Sequence, residues 1–181
     1  MSVLTLSELA TIKGVSTSDL PAGAQGWLDR AEDLVAGMLG TTTLAQETGR
    51  TTQWTPKSST RWLPTQVGPV VTLQAITVDD DDASSNVYRT YPWVVEMSEG
   101  ENVSGDVVMT LTTGWASGAL PQQIQSAIVV AYDVSALEST MPAGLASLSI
   151  GDWSASRMGG TRSGDVEQRM GDLLRKWRPV L

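Results

Sequence analysis

Three residue types are missing from this chain of 181 residues, which contains no Cys, no His and no Phe. Without Cys there can be neither disulfides nor thiolate metal sites. Without His there can be no Ser-His-Asp or Cys-His nucleophilic site and no His-ligated zinc. No Gly-rich phosphate loop of the G-x-x-x-x-G-K-[ST] type occurs. We therefore expect no catalytic residues, no metal and no cofactor.

Long apolar runs and positive charge are also scarce. No stretch is long enough to span a membrane, and residues 1–5 lack the basic region of a signal peptide, so we expect a soluble chain without a membrane partner. The net charge is −8, yet residues 157–178 hold six of the twelve basic groups. A basic tail on an acidic body favours docking onto an acidic protein over bulk DNA binding.

Apolar spacing predicts helical parts at 5–40, 121–138 and 165–178. The first part opens with Thr5 and Glu8, which have the spacing of a capping box.

Its second helix, expected at 21–39, carries a clear apolar stripe, and Asp29, Glu32 and Asp33 lie off that stripe. The helix after Pro121 is apolar on two faces, which indicates burial on both sides, and we expect the second side to meet another subunit.

Between the helical parts, residues 51–113 carry strand signals. The segment 70–78 has apolar residues in both alternating rows, which predicts a strand buried at least partly on both faces. The run Asp79–Asp82 could bind Ca²⁺, but it lacks EF-hand spacing and is more typical of a solvated hairpin tip. Replacing Asp79 and Asp80 by Ala is then expected to leave stability nearly unchanged.

These patterns predict an α+β fold, a small helical bundle with an inserted antiparallel β-sheet subdomain. The domain organisation expected is a single domain over 1–181 whose residues 144–181 form a C-terminal interaction arm.

Four motifs occur in a fixed order along the chain. They are a G-P-V-V strand segment at 68–78, a strand followed by T-T-G-W, a short loop and P-Q-Q-I-Q-S-A at 107–127, I-G-D-W-S at 150–154, and L-L-R-K-W-R at 173–178. This ordered set resembles the head–tail adaptor (connector, head-completion) proteins of long-tailed bacteriophages. The segment 53–102 is the part least similar to that family.

The resemblance implies a structural virion protein without catalysis. It implies a homo-oligomeric ring, typically a dodecamer, located in the virion neck between the portal protein and a tail-side completion protein and assembled in the host cytoplasm. DNA would pass through the lumen without specific binding. Two alternatives stay open: a tail-completion or tail-tube-associated protein, and a virion hydrolase that uses carboxylates among Glu96, Glu99, Glu101 and Asp106.

We expect a partner interface in the C-terminal region. The first part is the I-G-D-W-S segment, where a Trp beside a Gly-rich stretch suits an anchor that fills a neighbour's pocket, although it could instead pack on its own core. The second part is the basic end of the chain, whose cations could also complement the helix dipole. The expected interface residues are Ile150, Asp152, Trp153, Arg175, Lys176, Trp177 and Arg178.

Overall fold

The computed structural model describes residues 2–140, 147–150, 153–156 and 164–177, and it has an α+β fold. The chain divides into two compact units. The helical unit consists of Met1–Met38 and Ser117–Lys176, and the sheet unit consists of Leu39–Ala116 and Trp177–Leu181. In sequence, the sheet unit is therefore inserted into the helical unit.

Among the described residues, the helical unit contains four helices and a short hairpin, and the sheet unit contains seven strands. The helices are α1 Leu6–Lys13, α2 Ala24–Met38, α3 Gln122–Thr140 and α4 Gly164–Leu174, and the hairpin strands are β8 Ser147–Ile150 and β9 Trp153–Ser156. The strands of the sheet unit are β1 Glu47–Trp54, β2 Trp62–Pro64, β3 Val70–Val78, β4 Asp81–Asp82, β5 Val87–Thr90, β6 Val94–Met97 and β7 Val107–Thr113. Short 3₁₀ turns lie at Thr17–Asp19, Ser84–Asn86 and Arg175–Trp177.

The start of the helical unit follows the local sequence signals. The Thr5 side chain accepts from the Glu8 N–H at 3.2 Å and the Glu8 carboxylate accepts from the Thr5 N–H at 2.7 Å, which confirms the predicted capping box. Helix α1 ends at Gly14, which adopts a left-handed conformation.

Glu32 departs from its expected position on the polar side of α2, because only 8% of its surface is exposed. Its Oε1 accepts hydrogen bonds from the N–H of Val3 at 3.0 Å, the N–H of Leu4 at 2.8 Å and the Ser2 hydroxyl at 2.8 Å. Its Oε2 lies 3.1 Å from the Val3 nitrogen. We call residues 2–4, held by this carboxylate, the N-terminal latch.

Helix α3 is buried on both of its apolar faces, as predicted, but the covering elements belong to its own chain. Ile124, Ala127, Ile128, Val130, Ala131 and Val134 are all buried. Helix α3 contacts α2, α4 and β9 within the helical unit. The apolar residues on both faces of α3 are therefore explained without another subunit covering the second face.

Helix α4 ends earlier than the predicted 165–178, because the regular helix stops at Leu174 and the chain continues as a 3₁₀ turn to Trp177. Met170 and Leu174 are fully buried, so the apolar face of α4 packs inside the helical unit, on α3. Within the proposed arm 144–181, this part is thus integrated into its own unit.

The sheet unit holds two antiparallel sheets rather than the one sheet predicted. The first has the strand order β1-β7-β3-β4 and the second has the order β2-β6-β5. Apolar residues of both sheets form one core, which includes Leu63, Ile76, Val95, Met97, Val107, Met109 and Leu111.

The prediction that 70–78 is buried at least partly on both faces holds only in part, because four of its nine residues are exposed. Only Val70 and Ile76 of β3 are buried, and Val71 is 46% exposed. The pairing of β3 with β7 shifts register twice, between Val70 and Thr72 and between Leu73 and Ala75. Each bulge moves the following residues to the other face, so a simple alternation does not survive.

The turn from β7 towards α3 requires a glycine. Gly114 has φ +69°, and a Cβ atom on it would lie 2.3 Å from the carbonyl oxygen of Ala45. The N–H of the following residue, Trp115, donates to the Leu44 carbonyl at 2.9 Å, and Trp115 is buried. The T-T-G-W motif thus lies where two backbone segments of the sheet unit cross in close contact.

Candidate functional site

The outer face of the sheet β2-β6-β5 carries an arrangement of aromatic and arginine side chains. Trp62, Glu96 and Arg89 lie opposite one another across the three strands. Trp62 is 48% exposed, which is unusual for so large an apolar surface. We call the set Arg61, Trp62, Arg89 and Tyr91 the aromatic–arginine patch.

Both arginines of this patch stack on aromatic rings. The Arg61 guanidinium carbon lies 5.5 Å from the centroid of the Trp62 ring, and that of Arg89 lies 5.6 Å from the Tyr91 ring. The Trp62 and Tyr91 rings are themselves 6.1 Å apart. Each such cation–π contact contributes about 0.5–1 kcal/mol at an exposed site, so the main effect of the arrangement is to hold the rings and cations in place.

The buried carboxylate of Glu96 holds two side chains of the patch in position. Glu96 is only 4% exposed, and it forms an ion pair with Arg61 and accepts a hydrogen bond from the Tyr91 hydroxyl at 3.2 Å. Loss of either partner would leave the buried Glu96 carboxylate or the partly exposed Arg61 guanidinium without its counter-charge. Glu96 is therefore a positioning residue for Arg61 and Tyr91.

A second feature is the acidic turn between β3 and β4. Asp79 and Asp80 have φ +51° and +69°, and the pairs Val78–Asp81 and Thr77–Asp82 close a two-residue hairpin. The Asp79 carboxylate accepts from the Asp106 N–H at 2.8 Å. This hydrogen bond argues against the expectation that replacing Asp79 and Asp80 by Ala would leave stability nearly unchanged.

The remaining acidic residues of the run face solvent. The Ser84 side chain and then its backbone N–H hold the pKa of Asp82 below its ordinary value, so this carboxyl stays ionised. In residues 2–140, neither Asp80 nor Asp81 forms an ion pair, and the described part of the chain offers no cluster of three metal-ligating side chains. The structure thus agrees with the hairpin interpretation of this run.

Beside the turn lies an open pocket of about 270 Å³. Its apolar lining residues include Val78, Met97 and Val103, although most of the lining surface is polar. Four acidic residues also line it, namely Asp79, Asp81, Asp82 and Glu101. We call it the acidic pocket.

The four carboxylates considered for hydrolysis have structural partners of different kinds. Glu96 serves the patch, as described above. Asp106 accepts hydrogen bonds from Gln53 at 2.6 Å and from Thr55 at 3.1 Å. Glu101 lies within 3.4 Å of the Asn86 amide, and Glu99 is exposed next to the turn at Gly100. Three of the four thus take part in hydrogen bonds that fix strands and turns.

The predicted C-terminal interface residues lie in two parts of the chain. Ile150 and Trp153 form the last pair of the β8–β9 hairpin, and Asp152 lies outside the described residues. The backbone of Trp153 is therefore in a strand, and this strand contacts α3.

At the basic end, Arg175 is exposed and Arg178 lies outside the described residues. Lys176 is part of the final 3₁₀ turn. The Trp177 ring packs edge-on against Trp115 at 5.5 Å, and its carbonyl accepts from the Trp93 indole N–H at 2.6 Å. Trp177 thus packs within the sheet unit, to which it belongs.

The sequence analysis did not identify the aromatic–arginine patch. The signal is present in the short segments Arg61-Trp62 and Tyr88-Arg89-Thr90-Tyr91, where cations alternate with aromatic rings. It was missed because these residues lie in the segment least similar to the adaptor family, which was interpreted only as strands. Their association depends on the register of three strands.

Comparison with known proteins adds a distant likeness to a solved structure. No protein-family model matches the chain, and no curated protein matches it. Among the described helices, none is long and apolar enough to cross a membrane. A solved structure, "Neck of empty GTA particle computed with C6 symmetry", is similar with a TM-score of 0.46 and 16% sequence identity, covering 99% of this chain and 91% of that chain. A likeness at this level is too distant to establish a shared fold or function.

Proposed function

We propose that this protein is a structural component of a phage-type virion, a head–tail adaptor that forms a ring between portal and tail. The ring extends the DNA channel and offers a docking surface to a tail-side protein. The observation that carries the proposal is the ordered set of four adaptor-like motifs. No catalysis is part of it.

The longest of these motifs has a physical basis in the fold. Gly114 is required where two backbone segments cross, and Trp115 fills the space beside them. Pro121 precedes α3, where its missing N–H costs nothing. Ile124 and Ala127 are both fully buried. Five positions of the motif therefore have a structural task, which supports treating the match as more than a chance similarity.

Charge supports the placement along a DNA channel. The chain carries a net charge of −8, and most of its acidic residues lie outside the basic C-terminal region. A negatively charged wall repels the DNA backbone and keeps DNA from binding during passage. The basic residues Arg175, Lys176 and Arg178 are then proposed to contact an acidic surface of the portal or a neighbouring subunit, together with Trp177. The hairpin residues Ile150, Asp152 and Trp153 are proposed as the second contact.

Imaging of assembled particles tests the proposal. Particles carrying a tagged copy of the protein should show label, and ring-shaped density, at the junction of head and tail. Disruption of the gene should yield DNA-filled heads without tails. Tagged particles with no copies at that junction would contradict the adaptor assignment. Label at the tail tip or along the tube would instead favour the tail-completion or tail-tube alternative.

A further inference from the structure

Two surfaces of the sheet unit are chemically complementary to each other. The aromatic–arginine patch presents an exposed indole and two arginines that lie over aromatic rings. The acidic pocket presents four acidic residues beside the apolar residues Val78, Met97 and Val103. Trp and Arg are the residues that most often dominate protein interfaces, and an anchor of this kind is strongest when it fills a pocket.

These two surfaces lie on different sides of the sheet β2-β6-β5. Glu96 belongs to the row of residues on the patch face, whereas its neighbour Met97 is buried and lines the pocket. Successive residues of a strand point to opposite faces. A patch and a pocket on opposite sides of one unit suit a head-to-tail contact between copies, and such contacts form closed rings when the rotation between copies closes.

The charges favour a second copy of this chain as the occupant. Residues 39–116 hold nine acidic and four basic residues. Two of the basic residues, Arg50 and Arg61, already have carboxylate partners in Glu47 and Glu96. Within residues 2–140, Arg89 has no ion pair, and neither has Asp81. Among residues 2–140, each copy thus offers one patch cation without an ion pair, Arg89, and acidic residues at the pocket, of which Asp81 has no ion pair.

We propose that the aromatic–arginine patch of one copy docks into the acidic pocket of the next copy. Trp62 lies against the apolar residues of the pocket lining, and Arg89 meets the carboxylates of Asp81 and Asp82. Glu96 keeps Arg61 and Tyr91 in position for this contact. The inference rests on the proposed function, since it specifies how the copies of the ring touch one another.

Disulfide trapping tests the contact directly, because the natural chain has no Cys. The full-length double variant Tyr88→Cys/Asp81→Cys places one thiol beside the patch and one at the pocket rim, both at exposed positions. After oxidation of assembled particles, non-reducing gels should show a ladder of covalent multimers. Each single variant, which can link at most two copies, is the control. Particles that contain the protein at the neck but give no ladder overturn the inference and leave the adaptor proposal intact.

Charge exchange provides an independent measurement. In sedimentation experiments over a range of concentrations, or by incorporation into particles, Arg89→Glu and Asp81→Arg should each weaken association between copies at least tenfold. The double variant, which restores opposite charges, should recover most of that loss. Circular dichroism checks that each variant is folded. Loss in both single variants without recovery in the double variant would favour a different partner for the patch and overturn the proposal.

Trp62→Ala tests the apolar part of the contact, and it should weaken association at least tenfold while the protein remains folded. Val71→Ala is the matched control, because Val71 is equally exposed on the other sheet of the same unit. An equal effect of both variants would mean that exposed apolar area in general, and not the patch, drives association.

Discussion

Removal of the Glu32 carboxylate should release the N-terminal latch and destabilise the helical unit. In Glu32→Ala, two buried backbone N–H groups, those of Val3 and Leu4, lose their acceptor. Each unsatisfied buried donor costs about 1–3 kcal/mol. The total is limited, because the segment can detach and hydrate these groups while giving up the burial of two apolar side chains, worth about 1.5–3 kcal/mol each. We expect a loss of about 3 kcal/mol in the free energy of unfolding.

The substitution Glu32→Gln should have an intermediate effect of about 1–3 kcal/mol. The amide oxygen can take the place of Oε1, which makes the three shorter contacts. The amide NH₂ then faces the Val3 N–H, which is also a donor. The hydrogen bonds also lose the strengthening that a full negative charge gives them.

Urea unfolding followed by circular dichroism at 222 nm measures these losses, and hydrogen exchange at the amides of Val3 and Leu4 locates them. The matched control is Asp33→Asn, which makes the same chemical change as Glu32→Gln at an exposed position of the same helix and should stay within about 0.5 kcal/mol of the natural chain. If Glu32→Ala were no more destabilising than Asp33→Asn, the reasoning about the latch would be refuted.

Three further outcomes follow from other parts of the structure. Gly114→Ala should destabilise the protein by about 2–4 kcal/mol, because residue 114 has a left-handed backbone and the added Cβ would clash with backbone atoms. Gly26→Ala, in open space on α2, should instead stabilise it by about 0.5–1 kcal/mol, and urea unfolding compares the two variants. Asp79→Ala should cost about 1–2 kcal/mol, because Ala cannot accept the hydrogen bond and tolerates the positive φ poorly. Asp79→Asn should cost less than about 0.5 kcal/mol. Equal melting temperatures for the two variants would argue against the role of Asp79 in the hairpin. Tyr132 is 2% exposed, and its burial, reinforced by Asp133, raises its pKa, so the folded state retains this proton when the unfolded state has lost it. Stability should therefore fall as pH rises above about 10, and Tyr132→Phe should flatten that fall in unfolding curves measured between pH 9 and 11.

The features that the sequence predicts are those whose causes lie within a few residues. The capping box of Thr5 and Glu8, the stop at Gly14 and the two-sided burial of α3 all come from local spacing, and the structure confirms them. The acidic turn at Asp79 and Asp80 also belongs to this group, because short polar residues tolerate the positive φ that such a turn requires.

The features that it does not predict depend on partners far away along the chain. In the sequence, Glu32 cannot be distinguished from its exposed neighbour Asp33, because its hydrogen-bond partners in residues 2–4 lie 28 to 30 positions away. The bulges of β3 exist only relative to β7. The aromatic–arginine patch needs Arg61 and Glu96, which are 35 positions apart, to be brought together by strand pairing.

The insertion of the sheet unit into the helical unit has a consequence for the order of folding during synthesis. Helices α2 and α3 pack on one another, yet the whole of residues 39–116 is made between them. At about 5–20 residues per second, the ribosome needs several seconds to pass from the end of α2 to the end of α3. During that time the seven strands of the sheet unit can pair, while α1 and α2 have only each other to bury their apolar faces. The helical unit is thus completed last, and nascent chains stalled before α3 should expose the α2 surface to chaperones.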